Sequence, residues 1–295
     1  MQAEGISRNF GTFIYSTTNL GDDVQTIAQL GFLPTGQDIK ALNRDHLDAY
    51  DGTERICVMN GWFSHAPNRW PPSRSVDPVF ISFHIARDQL AAEKHAAYYR
   101  RHEPIGCRDY ATVEKLREIG VDAYFSGCLT LTLQNPFDEE ERGDYAVIVD
   151  AHLSDEKTYP PSEPDLLKRL VPEYVRQNAV YVEHEMANKH AHNYNRKTSR
   201  AVELLNLYAR AKVVVTTRMH CALPCLALNT PVVFLHREWN TDVRFDGYRQ
   251  VVPGHGPDAK TAKVDWEEPT PVDVSQMKES LIQDLRSSVE RKIDS

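Results

Sequence analysis

Apolar positions along this chain form short continuous or alternating runs, separated by stretches in which they recur every three or four residues. In the first half, strand-like runs stand at 12–15, 56–59, 79–83 and 123–125, and helical spacing predicts helices over 22–30, 87–98 and 111–119. The second half repeats the alternation. Strands are predicted at 145–150 and 179–182, and helices around Leu166, Leu167 and Leu170 and over 199–211. A β-branched run, Val213 to Val215, then breaks at Thr216-Thr217. A short helical segment follows to Leu228, then an Asn229-Thr230 turn and a second apolar run, 231–235. Met277, Leu281, Ile282, Leu285 and Val289 predict a closing helix over 272–293. The stretch between Asn60 and Pro78, rich in Pro, Ser and aromatics, reads as a long loop.

Strands alternating with helices predict α/β structure with parallel sheets covered on both faces. Asn135-Pro136-Phe137, followed by the acidic run Asp138 to Glu141, is the best candidate linker. It divides the chain into two doubly wound, Rossmann-like domains facing a cleft, residues 1–137 and 138–295, with the last helix, 272–293, packing back on the first. A length of 295 residues accommodates two domains of ordinary size.

Composition narrows the function. A net charge of −8 argues against a general nucleic-acid binder, which needs a basic surface. An anionic ligand would need a local positive pocket, because the global field repels it. No apolar run approaches the length of a membrane span, and the N-terminus shows no signal-peptide core, so a cytoplasmic protein is expected. Peripheral contact with the inner face of the membrane is compatible with this, although no basic amphipathic helix announces it. Five cysteines without framework spacing predict reduced thiols, and Cys221 and Cys225 read as small buried hydrophobes. No Gly-rich dinucleotide fingerprint, GxxxxGK loop or GxSxG elbow is present, which disfavours nicotinamide, ATP and Ser-hydrolase chemistry.

The candidate chemistry lies where the Val213 strand ends. Arg218 offers a planar fork matched to phosphate or carboxylate, and His220 can donate to the same anion or exchange a proton near neutral pH. Both sit beside the positive end of a helix, at the strand end where open α/β sheets bind ligands. The structural alternative is an Arg tied to a local carboxylate and a His capping the helix. In Asn19-Leu20-Gly21-Asp22, Gly21 permits a tight turn and Asp22 could simply cap the next helix; the alternative is a loop that contacts substrate. Arg108 precedes a helix that Asp109 would cap, and is either a second ligand-binding cation or a surface Arg with a carboxylate partner. His184 follows the strand 179–182 and is a candidate general acid or base, and His84 ends a strand in a similar way; for each, a satisfied structural histidine is the alternative. Trp62 and Trp70, in the long loop, could stack on a sugar face or pack on their own domain. A metal site is not expected: His184-Glu185 lacks a second His at Asn188, and His190 and His192 lie in a polar loop.

Three clusters in this order resemble the polysaccharide pyruvyl transferase family: Asn19-Leu20-Gly21-Asp22-Asp23, Gly106-Cys107-Arg108-Asp109, and Val-Thr-Thr-Arg-Met-His with the following Pro-Val-Val. The likeness runs from about Asn19 to about Tyr248. It implies a GT-B-like architecture and phosphoenolpyruvate as donor, without a metal or resident cofactor. Arg218 and His220 would hold the donor with Arg108 assisting, while Asn19, Gly21, Asp22 and Asp242 would contact substrate. The acceptor would be a sugar of a surface polysaccharide or its polyprenol-linked precursor. The rival readings are a nucleotide-sugar glycosyltransferase of similar architecture and a non-catalytic sugar-binding relative.

Overall fold

The computed structural model describes residues 9–34, 36–153 and 163–294, which fall into two compact units. The first holds the chain up to Ser16, Gln25–Leu129 and the residues from Ser280 onward; the second holds Thr17–Val24 and Thr130–Glu279.

In the first unit, β1 (Asn9–Ile14), β2 (Asp38–Asn43), β3 (Arg55–Val58) and β5 (Val76–Val79) form a sheet in the order β2-β1-β3-β5. A second sheet runs β4 (Gly61–Trp62), β6 (Phe83–His84), β7 (Ile105–Cys107) and β8 (Ala123–Phe125). All pairings in both are parallel. The parallel α/β character matches the sequence reading, but two four-stranded sheets stand where one doubly wound sheet was expected. The apolar run 79–83 is the cause. Ser82 sits in the left-handed region at φ 60, and its N–H donates to Ser126 Oγ at 3.0 Å. The run therefore breaks there, and its two ends join different sheets. The helix expected over 87–98 is reduced to two 3-10 turns and α2 (Ala96–Arg100), because Ala92 is extended at φ −70, ψ 145. Edge strand β2 escaped prediction since only Leu42 of its six positions is buried, leaving no alternation to read.

The long loop 60–78 contains β4 and a 3-10 turn at Pro67–Arg69. Its Trp70 stacks between Phe83 and Tyr99, with ring centroids at 5.5 and 6.0 Å. It is a core residue, not a sugar platform. The closing helix α8 (Ser275–Ile293) buries Leu281, Leu285 and Val289, one every four residues. Within the first unit its Lys292 pairs with Asp77 at 2.5 Å. No helix among the described residues is long and apolar enough to cross a membrane.

The second unit is built on β9 (Ala146–Val149), β10 (Val180–Val182), β11 (Val213–Thr216), β12 (Val232–Leu235) and β13 (Gly254–His255). The order is β10-β9-β11-β12-β13, all parallel. β9, β11 and β12 are buried at every position, which is why their sequences are unbroken apolar runs. Each such Val or Leu contributes about 1.5–3 kcal/mol by leaving water. Counted within the unit, the order is second, first, third, fourth, fifth. In a doubly wound sheet of this order the connections reverse between first and third strands, here β9 and β11, and ligands bind beyond their carboxyl ends.

Candidate functional site

At the carboxyl end of β9 the chain turns at Asp150, in the left-handed region at φ 58. β11 ends alongside it, with Thr216 in register with Val149. Arg218 follows as the N-cap residue of α7 (Met219–Ala227), its backbone extended and its N–H donating to Thr216 Oγ1 at 3.0 Å. Only 4% of Arg218 is exposed, so its charge must be met by protein or ligand. Its Nε donates to the Asp150 carboxylate, and its Nη2 donates to Glu185 Oε1 at 2.8 Å. The other oxygen of Asp150 accepts the His184 N–H at 3.0 Å. Asp150 therefore fixes the guanidinium and the chain after β10 together. Glu185 differs: a third of its side chain (35%) is exposed, so it can leave Arg218 for solvent.

His184 is fully buried, its Nδ1 3.1 Å from the Tyr208 hydroxyl. Burial, then the charges of Arg218, His220 and Arg200, push it down to about 3. Its ring is therefore neutral at pH 7. His184 Nε2 and Thr217 Oγ1 are buried without a hydrogen-bond partner among the described residues. Buried orphan atoms of this kind call for a water or ligand to satisfy them.

The segment Thr17–Val24 belongs to this unit and packs on the corner. Leu20 N–H donates to His184 O at 3.1 Å, Met186 N–H to Thr18 O at 2.9 Å, and Asn19 forms an isolated antiparallel bridge with Glu185. Asn19 Oδ1 accepts the Gly21 N–H at 3.0 Å, closing the turn into α1 (Leu20–Leu30). A Cβ at Gly21 would lie 2.9 Å from both Cβ and Nδ1 of His220. The glycine is needed for that close approach rather than for an unusual backbone angle. Gly21→Ala should thus displace the half-buried His220 at about 1–3 kcal/mol of overpacking. We expect a Tm several degrees lower together with weakened ligand binding. A variant with wild-type Tm and binding would show that the two residues are not so tightly juxtaposed.

Asp22 accepts from Thr17 Oγ1 at 2.8 Å, a local turn contact. Asp23, which sequence reasoning did not single out, meets Lys197 of α6 (Tyr194–Ala209) at 3.3 Å, and that lysine is wholly buried. Burial pushes the Asp23 carboxyl from 3.8 up to about 6, with Lys197 opposing and Asp22 adding to the rise. Folding thus takes up a proton here between those values. The associated stability is fully present below pH 3.8 and is lost as pH rises through about 6. Its size is on the order of 2–3 kcal/mol. Asp23→Asn should lower stability overall but flatten its fall between pH 4 and 6; denaturant unfolding at several pH values with an unchanged slope would rule this out.

Two further predicted residues have partners of their own. Asp242 begins the 3-10 turn Val243–Phe245 and grips Arg244 through both oxygens. Burial opposes its ionisation, but the Arg244 hydrogen bonds and charge prevail and hold it below the ordinary carboxylate range. Arg108 belongs to the first unit, ahead of α3 (Tyr110–Glu118), where Asp109 caps the helix by accepting the Thr112 N–H at 2.9 Å. Asp109 also meets His84 Nδ1 at 2.5 Å, a buried structural pair. Sequence reasoning missed Asp150 and Glu185. The signal for Asp150 was present, a lone polar residue closing an apolar strand. Among the described residues no three His, Cys, Asp or Glu side chains converge as a metal site, and all five cysteines are buried thiols outside any disulfide.

Comparison with known proteins completes the picture. A search of curated proteins finds no match. Among solved structures, an uncharacterized protein of Klebsiella pneumoniae is 12% identical, with 83% of this chain and 91% of that one covered and a TM-score of 0.47. The Escherichia coli heptosyltransferase WaaC, solved with an ADP-fluoroheptose, is 16% identical over 96% of this chain and all of its own, with a TM-score of 0.30. Scores this low do not establish a shared fold. The family model for polysaccharide pyruvyl transferases matches residues 19–237, a span that begins at the Asn19 bridge and runs past the Arg218 corner. By that match over most of its length, the chain belongs to the polysaccharide pyruvyl transferase family.

Proposed function

We propose that the protein moves the pyruvyl group of phosphoenolpyruvate onto two hydroxyls of one sugar, in a surface polysaccharide or its lipid-linked precursor, forming a cyclic ketal and releasing phosphate. The observation that carries this reading is Arg218, buried at the β9/β11 switch point and at the N-terminus of α7, with His220 beside it. A small trianion suits such a corner, where a fixed guanidinium and the helix amides act in low dielectric. In this reading the donor replaces Glu185 on Arg218 Nη2 while Asp150 keeps the fork aimed. His220, beside Arg218, carries protons in this reading. The enol methylene takes up one proton to become methyl, each of two sugar hydroxyls gives one up, and phosphate departs with one. Charge and atoms then balance. Arg218 would stabilise the charge that gathers on the leaving phosphate.

The test is phosphate release from phosphoenolpyruvate in the presence of candidate sugars. Phosphoenolpyruvate alone should also raise Tm, a ligand at a hundredfold excess over Kd stabilising by about 2.7 kcal/mol. A rise with a nucleotide sugar and none with phosphoenolpyruvate would identify a glycosyltransferase instead. Because the proposed cations are side chains, turnover should survive exhaustive chelation by EDTA; a loss restored only by a divalent metal would overturn that part.

A further inference from the structure

Beside the Arg218 corner, within the second unit, lies a cavity of about 340 Å³ whose walls include His152, Tyr181, Glu183, Glu185 and Arg200. That volume falls within the range of small-ligand sites. Glu185 is common to both places, since the carboxylate that meets Arg218 also lines the cavity. We infer that this cavity is a subsite for one neutral, hydroxyl-rich pyranose ring; that the ring is the acceptor rests on the pyruvyl-transfer reading above.

The chemistry of the walls selects the ligand. Glu183 and Glu185 line it with Arg200; with their partners included, Asp150, Glu183, Glu185 and Glu203 set four negative charges against the two guanidinium groups of Arg200 and Arg218. A phosphate or carboxylate is repelled from such a lining, whereas sugar hydroxyls donate to carboxylates at little electrostatic cost. His152 Nδ1 adds a buried polar atom with no hydrogen-bond partner among the described residues, and a hydroxyl can supply one.

Tyr181 supplies the apolar face that a pyranose needs. It is 44% exposed, on the edge strand β10, and it is held at both ends. Its hydroxyl donates to Arg176 O at 2.8 Å, and its ring meets His152 edge-on at 5.0 Å between centroids. A rigid, exposed ring costs little entropy when a ligand stacks on it. Tyr181, in β10, and Glu183, just beyond its end, both line the cavity.

Saturation-transfer NMR on the full chain, with the methyl pyranosides of glucose, galactose and mannose at millimolar concentration, tests the inference. We expect transfer to at least one glycoside, strongest at ring protons of one face, insensitive to inorganic phosphate. Tyr181→Phe should retain it, and Tyr181→Ala should weaken binding about tenfold or more. If Tyr181→Ala fails to fold, Glu183→Gln, at an exposed position, serves in its place with a similar loss. No transfer to any of the three sugars, unchanged transfer in Tyr181→Ala or its substitute, or displacement by phosphate would each overturn the inference. The phosphoenolpyruvate-induced rise in Tm, measured on the same samples, reports the donor reading separately. It should persist in Tyr181→Ala, and its absence from the wild type would sink the donor assignment without touching the sugar result.

Discussion

Asp150→Ala is expected to destabilise the folded protein by about 3–5 kcal/mol, the usual cost of leaving a buried charge without its partner. Asp150 and Arg218 are 1% and 4% exposed, so solvent cannot take the place of the lost carboxylate. The same substitution strips the acceptor from the His184 N–H, adding roughly 1 kcal/mol. Glu185 stays on Arg218 and keeps the total towards the lower end. Asp150→Asn preserves the shape and one acceptor, and should cost less than half as much. Denaturant unfolding with an unchanged m-value measures both. A loss below about 1 kcal/mol for Asp150→Ala would mean that Glu185 alone satisfies Arg218, and that Asp150 does not set the corner.

Arg218→Lys should reduce turnover by about a hundredfold although the charge is kept. In the structure the guanidinium reaches Asp150 through Nε and Glu185 through Nη2, two directions from one rigid plane. An ammonium is a point donor on a flexible stem and cannot hold one carboxylate while presenting a second pair of donors to an incoming anion. Losing one charge-assisted pair costs about 1.5–3 kcal/mol, and each 1.4 kcal/mol is a factor of ten in rate. The readouts are kcat/KM for phosphate release and the Tm shift with phosphoenolpyruvate. Wild-type values for both would remove Arg218 from the donor site. His220→Ala should lose turnover comparably while its circular dichroism stays unchanged.

The β11–α7–β12 unit was legible because local signals there agree. Val213 to Val215 are buried on both faces and read as an unbroken run, and Asn229, at φ 57, ends the helix with a residue that tolerates the left-handed region. The first half was harder for equally physical reasons. The break at Ser82 lies inside an apolar run whose composition gives no warning, and Ala92, an ordinary helix former, is extended all the same. Trp70 was ambiguous since an aromatic in a Pro-rich loop looks the same whether it faces solvent or core. Only the rings of Phe83 and Tyr99 decide it.

What the amino-acid order determined by itself was the parallel α/β character, the strand that ends at Thr216, and the presence of Arg218 and His220 just beyond it. These depend on side-chain periodicity and on residues a few positions apart. The partners of Arg218 were decided only by tertiary structure: Asp150 is 68 residues away along the chain and Glu185 is 33. Parallel pairing of β9 between β10 and β11 brings the three strand ends together, and no local pattern encodes that adjacency. The contact between Gly21 and His220 is of the same kind. Short-range preferences set which residues stand at the ends of elements, whereas burial of the shared sheet sets which ends meet.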